Sequence, residues 1–383
     1  MALHFERAEF DGRKRKTIAA LEAAGLDGLL MFRQESMFWL TGYDTFGFCF
    51  FQCLYLDADG RIMLLTRAPD LRQAQNTSII EDIRIWVDRA DATPPDDLRA
   101  ALETLGASGK KLGVEYGAYG LNAALGKKLD AALDGFADLE DASDLVNHLR
   151  LVKSTKELEY VRMAAELGDR ALEEAHNLTG PGADEGEILA AMQGAVFKGG
   201  GDYLGNEFII GSGADALLCR YFTGRKILAQ QDQLTLEFGG AYRHYHACLM
   251  RTIPVGSVSG HQRHMFDACA EALSACKDAL RPGRPIGEVF DAHARVMDAN
   301  GLRHARLNAC GYSLGAVFAP IWMDYPMFYH GNPVVAEPGM VFFLHMILMD
   351  SEAGQAMTLG ETVIVTDAEP ERLSRMPLEL VAR

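Results

Sequence analysis

The run Leu234-Thr235-Leu236-Glu237-Phe238 sets one carboxylate inside an otherwise apolar strand pattern. Burying a charge in such a setting is costly unless the group is paired or does chemistry. Desolvation raises its pKa, which suits it to proton transfer or to attack on an amidine or amide carbon. A structural ion pair is the plain alternative. Shortly afterwards His244, His246 and Cys248 alternate, so a strand puts all three on one face. If that face lines a pocket, an imidazole there supplies acid and base function; otherwise the two histidines are solvated or satisfied by structural bonds. Cys248 reads equally well as a small buried filler.

Further along, Tyr312 follows a glycine and offers a pocket hydroxyl or plain packing, and Trp322 is either a core residue or the wall of a pocket for a ring or a cation. His345, between Leu344 and Met346, fits a hydrogen-bonded core histidine as well as a site residue. Arg220 can pair bidentately with a substrate carboxylate or bridge domains or subunits. Arg251 reads as structural, and Met323, Met327, Met340, Met346, Met349 and Met357 read as core filling.

These residues need a scaffold, and the chain supplies two. A helix over Arg13–Ala24 closed by Gly25, strands at Leu29–Phe32, Phe50–Leu56, Arg61–Leu65, Ile83–Val87 and Lys111–Glu115, and helices at Pro94–Leu105 and Leu121–Leu133 predict an α/β domain over residues 1–147. A long helix over Lys156–Asn177 opens a second domain, residues 148–383. Its helices at Asp184–Lys198, Gln262–Leu280 and Ile286–Asn300 alternate with strands at Glu207–Gly211, Gln233–Phe238, His244–Pro254, Val341–Met349 and Glu361–Thr366. That order predicts an α+β fold with an antiparallel sheet backed by helices.

With 383 residues, 49% hydrophobic and 23% charged, the chain can bury a large core. The net charge of −16 argues against nucleic acid and anionic membrane, which need a basic face, and leaves a small molecule or a peptide as the partner. The segment Met1–Arg15 lacks a secretory pattern, and no apolar run approaches the ~18 residues of a membrane span. Seven scattered cysteines without CxxC pairs fit a reduced, cytoplasmic setting.

Several local signatures carry a resemblance. Met37-Phe38-Trp39-Leu40-Thr41-Gly42-Tyr43 resembles the N-I-x-Y-L-T-G-Y stretch of creatinase and prolidase relatives, and Leu149-Arg150-Leu151-Val152-Lys153-Ser154 with Glu157 resembles their R-x-x-K-S-x-x-E. Gly211-Ser212-Gly213, Met250-Arg251-Thr252 and Glu337-Pro338-Gly339-Met340-Val341-Phe342 follow as landmarks in the same order. The chain is thereby identified as a member of the creatinase, aminopeptidase P and prolidase group. The resemblance implies a creatinase-like N-terminal domain, a pita-bread catalytic domain, hydrolase activity and a homodimer.

Metal-binding members of that group hold two divalent cations with two Asp, one His and two Glu, because anionic oxygens must offset the dense positive charge. Aligned on the landmarks, those five positions carry Glu237, Cys248, Tyr312, His345 and Gly360. One carboxylate survives, so the resemblance implies neither a dinuclear centre nor another cofactor. Gly240-Ala241-Tyr242-Arg243-His244-Tyr245-His246-Ala247, Cys310-Gly311-Tyr312-Ser313-Leu314-Gly315 with Pro320 and Trp322, and Glu237 itself resemble the metal-free ectoine hydrolase branch, with creatinase beside it. One departure is Cys219-Arg220, where relatives tend to carry Pro-His. The implied function is metal-independent hydrolysis of a C–N bond in a small amidine, guanidine or cyclic amide carrying a carboxylate. Glu237, His246, Tyr312 and His345 are its catalytic candidates, and Arg220, His244, Trp322, Cys248 and Glu361 its substrate-binding ones. The alternatives are a mononuclear metal enzyme of Xaa-Pro-peptidase type, with Glu237, Cys248 and His345 as ligands, and a non-catalytic binding protein.

Overall fold

The computed structural model describes residues 3–220 and 224–383. The chain divides into two compact units, Met1–Arg150 and Leu151–Arg383, against the sequence reading of 1–147 and 148–383. Both combine helices with sheets, which gives the expected α+β class.

The first unit runs α1 (Arg7–Ala24), β1 (Gly28–Met31), α2 (Gln34–Thr41), β2 (Cys53–Asp57), β3 (Ile62–Arg67), α3 (Leu71–Thr77), β4 (Asp82–Trp86), α4 (Pro94–Thr104), β5 (Lys111–Val114), α5 (Ala123–Leu133), β6 (Asp138–Asp141) and α6 (Leu145–Leu149). Its six strands form a mixed sheet ordered β4-β3-β2-β1-β5-β6. Helix α1 starts at Arg7, earlier than its periodicity suggested, and within it Arg13 is buried, its guanidinium donating to the Trp39 carbonyl at 2.8 Å. The stretch Met37–Tyr43 ends α2 and packs inside this unit, with Tyr43 buried. Buried Glu115 fixes the start of α2 by accepting from the Phe32 and Arg33 amides, each at 2.9 Å, and from the Ser36 hydroxyl at 2.6 Å.

The second unit runs α7 (Thr155–Leu178), α8 (Glu185–Lys198), β7 (Ile209–Ser212), β8 (Asp232–Tyr242), β9 (Tyr245–Val255), α9 (Gly260–Ala279), α10 (Gly287–Ala299), β10 (Gly311–Ser313), β11 (Asp324–Met327), β12 (Val341–Asp350), β13 (Gln355–Ile364) and β14 (Glu371–Arg372). Ser154 and Glu157 form a reciprocal capping box at the start of α7. The sheet is ordered β11-β10-β12-β13-β9-β8-β7, with β14 on the side of β13. Strand alternation decides its two faces. Phe342, Leu344, Met346 and Leu359 pack into one apolar core with Cys269, Cys276 and Val289 of α9 and α10. Residues of the other parity, Glu237 and His345 among them, face away from that layer.

The helix-covered face also holds a buried ion pair. Arg251 stands opposite Leu236, and Glu361 opposite Leu344. The Arg251 guanidinium donates to Glu361 Oε1 and, at 2.8 Å each, to the carbonyls of Met250 and Gly360; Arg372 stands 3.6 Å from Glu361 Oε2. Among the described residues, no helix is long and apolar enough to cross a membrane. All seven cysteines are free.

Removing one partner of a buried pair strands the other charge. Glu361→Ala is therefore expected to destabilise the protein by about 3–5 kcal/mol, read as a lower urea midpoint at unchanged slope; an unmoved midpoint would show that Arg251 finds other compensation.

Candidate active site

Glu237 of β8 pairs with Met250 of β9, Met250 with Gly360 of β13, and Gly360 with His345 of β12. Directly opposed residues share a face, so these four form one row across the sheet. Two residues along on the same face, Cys248 stands opposite Gly239, and Tyr312 of β10 stands opposite Phe343. The register thus brings Glu237, Cys248, Tyr312, His345 and Gly360 onto one face.

Tyr312 closes the gap between the strands. Its hydroxyl donates to Glu237 Oε1 at 3.0 Å and accepts from the Trp322 indole N–H at 2.8 Å, while its ring centroid lies 5.5 Å from that of His345. The donor chain therefore has one direction, from indole to phenol to carboxylate. Glu237 is 8% exposed, and burial pushes its pKa up to about 7 against the pull of the Tyr312 bond and the nearby Arg220 cation. Burial, with the Glu237 charge next, raises the Tyr312 phenol far above its ordinary value, so it stays a donor. His345 is driven down to about 3 by burial and then by His293, which leaves a neutral imidazole whose buried Nδ1 has no hydrogen-bond partner among the described residues. This arrangement can accept a proton at Glu237 near neutral pH and offer uncharged hydrogen-bonding groups beside it.

The other expected residues fall elsewhere. His246 shares the face but has no nitrogen left for proton transfer: Nδ1 is 2.7 Å from the His244 carbonyl and Nε2 accepts from the Gly205 amide at 2.9 Å. It is fully buried, with its pKa lowered to about 4 chiefly by burial, and holds the 205 loop against β9. His244 lies outside the strand, in the β8–β9 turn at φ 66°, stacked on Phe318 at 4.3 Å. Cys248 is buried, and burial then Glu237 raises its thiol pKa, so it is a neutral filler; its backbone exchanges two 2.8 Å bonds with the Thr362 hydroxyl. Trp322 is 1% exposed and acts through Tyr312. Arg220 is exposed and within electrostatic reach of both Glu237 and His345. Glu361, expected in the substrate pocket, belongs to the ion pair on the opposite face.

The five positions do not fit a pair of divalent cations. They supply one carboxylate, a high-pKa thiol, a phenol, an imidazole and no side chain at Gly360. A Cβ on Gly360 would stand 2.6 Å from the Phe343 ring and 2.7 Å from the Met250 Cβ, so aromatic packing fills the place of the fifth ligand. Among the described residues, no three His, Cys, Asp or Glu side chains converge as a metal site, the trio Glu237, Cys248 and His345 included.

Sequence reasoning missed two contributors. His293 of α10 is buried with neither ring nitrogen hydrogen-bonded among the described residues, and the one signal for it was a histidine on the apolar face of that helix. Asn206 accepts from the Trp322 backbone N–H at 3.0 Å, a bond across more than a hundred residues that no local pattern announces.

A helix-backed sheet with this buried cluster on its other face is the architecture of a pita-bread hydrolase. Residues 159–367 match metallopeptidase family M24, and residues 13–152 the creatinase/prolidase N-terminal domain; the first match spans more than half of the chain, which belongs to family M24. The chain is 29% identical to the uncharacterized hydrolase/peptidase y4tM of Sinorhizobium fredii over 394 residues and 26% identical to the ectoine hydrolase of Halomonas elongata over 402, each alignment covering 100% of this chain and 99% of the relative. The Xaa-Pro dipeptidase from Bacillus anthracis shares the fold at a TM-score of 0.85 and 21% identity, covering 98% of this chain and 100% of that one.

Glu237 makes stability depend on pH. Its carboxyl ordinarily releases a proton near 4.5, and in the folded protein near 7. The folded state thus holds the proton more tightly, and this contribution, about 3 kcal/mol, is full below pH ~4.5 and lost as pH rises through ~7. Glu237→Gln lacks that dependence. Its Tm relative to wild type is expected to rise between these pH values and stay level above them; a constant difference would mean that Glu237 titrates as an ordinary glutamate.

Proposed function

We propose that this family M24 hydrolase opens a C–N bond in a small amidine, guanidine or cyclic amide bearing a carboxylate, without a metal ion. The observation that carries the reading is the replacement of the family's cation-binding set by one buried, near-neutral glutamate aligned by a tyrosine. In the proposed step, Glu237 takes a proton from water as its oxygen bonds to the electrophilic carbon; the C–N bond then breaks and the proton passes to the departing nitrogen. Tyr312 keeps the Glu237 carboxylate in register, neutral His345 hydrogen-bonds the substrate, and the Arg220 guanidinium receives its carboxylate. The full-length similarity to ectoine hydrolase supports this substrate class. We further read the chain as a cytoplasmic homodimer; a monomer by light scattering at micromolar concentration would remove the dimer.

The test is turnover of a panel holding ectoine, hydroxyectoine, creatine and Xaa-Pro dipeptides, with EDTA or with added manganese. Turnover of a carboxylate-bearing amidine or guanidine that is indifferent to both is expected; manganese-dependent cleavage of Xaa-Pro dipeptides alone would overturn the proposal. With the substrate found, Glu237→Gln should lower kcat by roughly 10²- to 10⁴-fold. Wild-type kcat/KM should fall with acid below pH ~7, because the base must be unprotonated. Full-rate turnover by Glu237→Gln would sink the assignment.

A further inference from the structure

Beside the start of β7 lies a cavity of about 370 Å³ that the Glu237 chemistry does not use. Val196 and Phe197 of α8, Tyr203, Phe208 and Pro320 line it, and Glu207 is the one carboxylate on its wall. It is a different place from the row of Glu237. Phe208 meets Phe238 edge-on at 5.9 Å, and Phe238 points to the face of the sheet away from Glu237.

Its lining is chemically lopsided. No Lys, Arg or His lines the cavity, and Glu207 forms no ion pair among the described residues. Phe197 and Tyr203 hold each other edge-to-face at 4.9 Å, yet they are 41% and 83% exposed. Two aromatic rings open to solvent beside an unpaired carboxylate attract a positive charge by Coulomb and cation–π terms, while the apolar wall takes up hydrocarbon. An anionic ligand would meet only repulsion.

We propose that this cavity is a second ligand site, for a small organic cation whose ammonium faces Glu207 and whose aromatic or branched aliphatic body lies against Val196, Phe208 and Pro320. The site is independent of the proposed hydrolytic reaction, but its floor is tied to Glu237. Gly205 donates to His246, and Asn206 accepts from the Trp322 backbone, whose indole donates to Tyr312 and so to Glu237. An occupant therefore presses on the loop that braces the catalytic carboxylate.

Calorimetric titration with phenethylamine, its neutral isostere 2-phenylethanol and the anion 3-phenylpropionate tests this on the full chain. Saturable binding is expected in the order amine, alcohol, acid, with the amine at least about fivefold tighter than the alcohol, the size of one Coulomb contact in a largely aqueous setting. Glu207→Gln should abolish the difference between amine and alcohol while both still bind, and Glu237→Gln should leave it intact. Absence of saturable binding, equal binding of all three, or an amine preference that survives Glu207→Gln and disappears in Glu237→Gln would each overturn the proposal, the last by placing the amine at the Glu237 site. Since substrate turnover is not read, failure here leaves the hydrolase reading untouched, and failure of that reading leaves this one.

Discussion

A single carboxylate in the middle of a sheet has to be desolvated and still kept usable, and the Tyr312 hydroxyl on Glu237 meets that constraint. Burial pushes the pKa of such a carboxylate up and donors pull it down; buried Glu115, with three donors, balances at about 7, and so does Glu237. One donor with an arginine at a distance leaves it near neutrality. Much of the local structure serves that contact. Gly311, at φ 150°, lets β10 pass so close to β12 that a Cβ would stand 2.2 Å from the Phe343 carbonyl, and this approach places Tyr312 between Glu237 and His345. Trp322 fixes the phenol from behind, and Asn206 fixes Trp322.

The sheet segregates its charges by parity. On one face Glu237 has a neutral partner and keeps a titration within reach of physiological pH; on the other, Glu361 meets Arg251 and Arg372 and is spent on holding β9 to β13. Two buried glutamates in the same sheet thus have different partners, a hydroxyl for one and guanidinium groups for the other, while burial raises the pKa of both.

That parity also explains what was legible in the sequence. Long strands and helices announce themselves by periodicity, and the carboxylate in Leu234–Phe238 stood out by hydropathy alone. Glu361 was misplaced because it adjoins Gly360, and one residue along a strand reverses the face. His246 has the spacing of a site residue, but its nitrogens are consumed by His244 and by Gly205, a partner 41 residues away that no pattern in the strand reveals. Strands β10 and β11 escaped detection because they have only three and four residues and lie among glycine and proline; nonetheless β10 carries the tyrosine on which the site turns.

The change at Gly360 indicates which alterations of this fold go together. A ligand carboxylate cannot be restored there by substitution alone, because Phe343 and Met250 already occupy the volume. The same Phe343 ring packs at 5.5 Å and 5.6 Å against Tyr312 and His345, the residues that stand at two other ligand positions. Tyr312, His345 and Phe343 therefore form one aromatic cluster in packing terms, and its rings lower the dielectric around the neighbouring Glu237 carboxylate. Desolvation by that packing raises the pKa of Glu237, and this is the basicity the proposed reaction draws on.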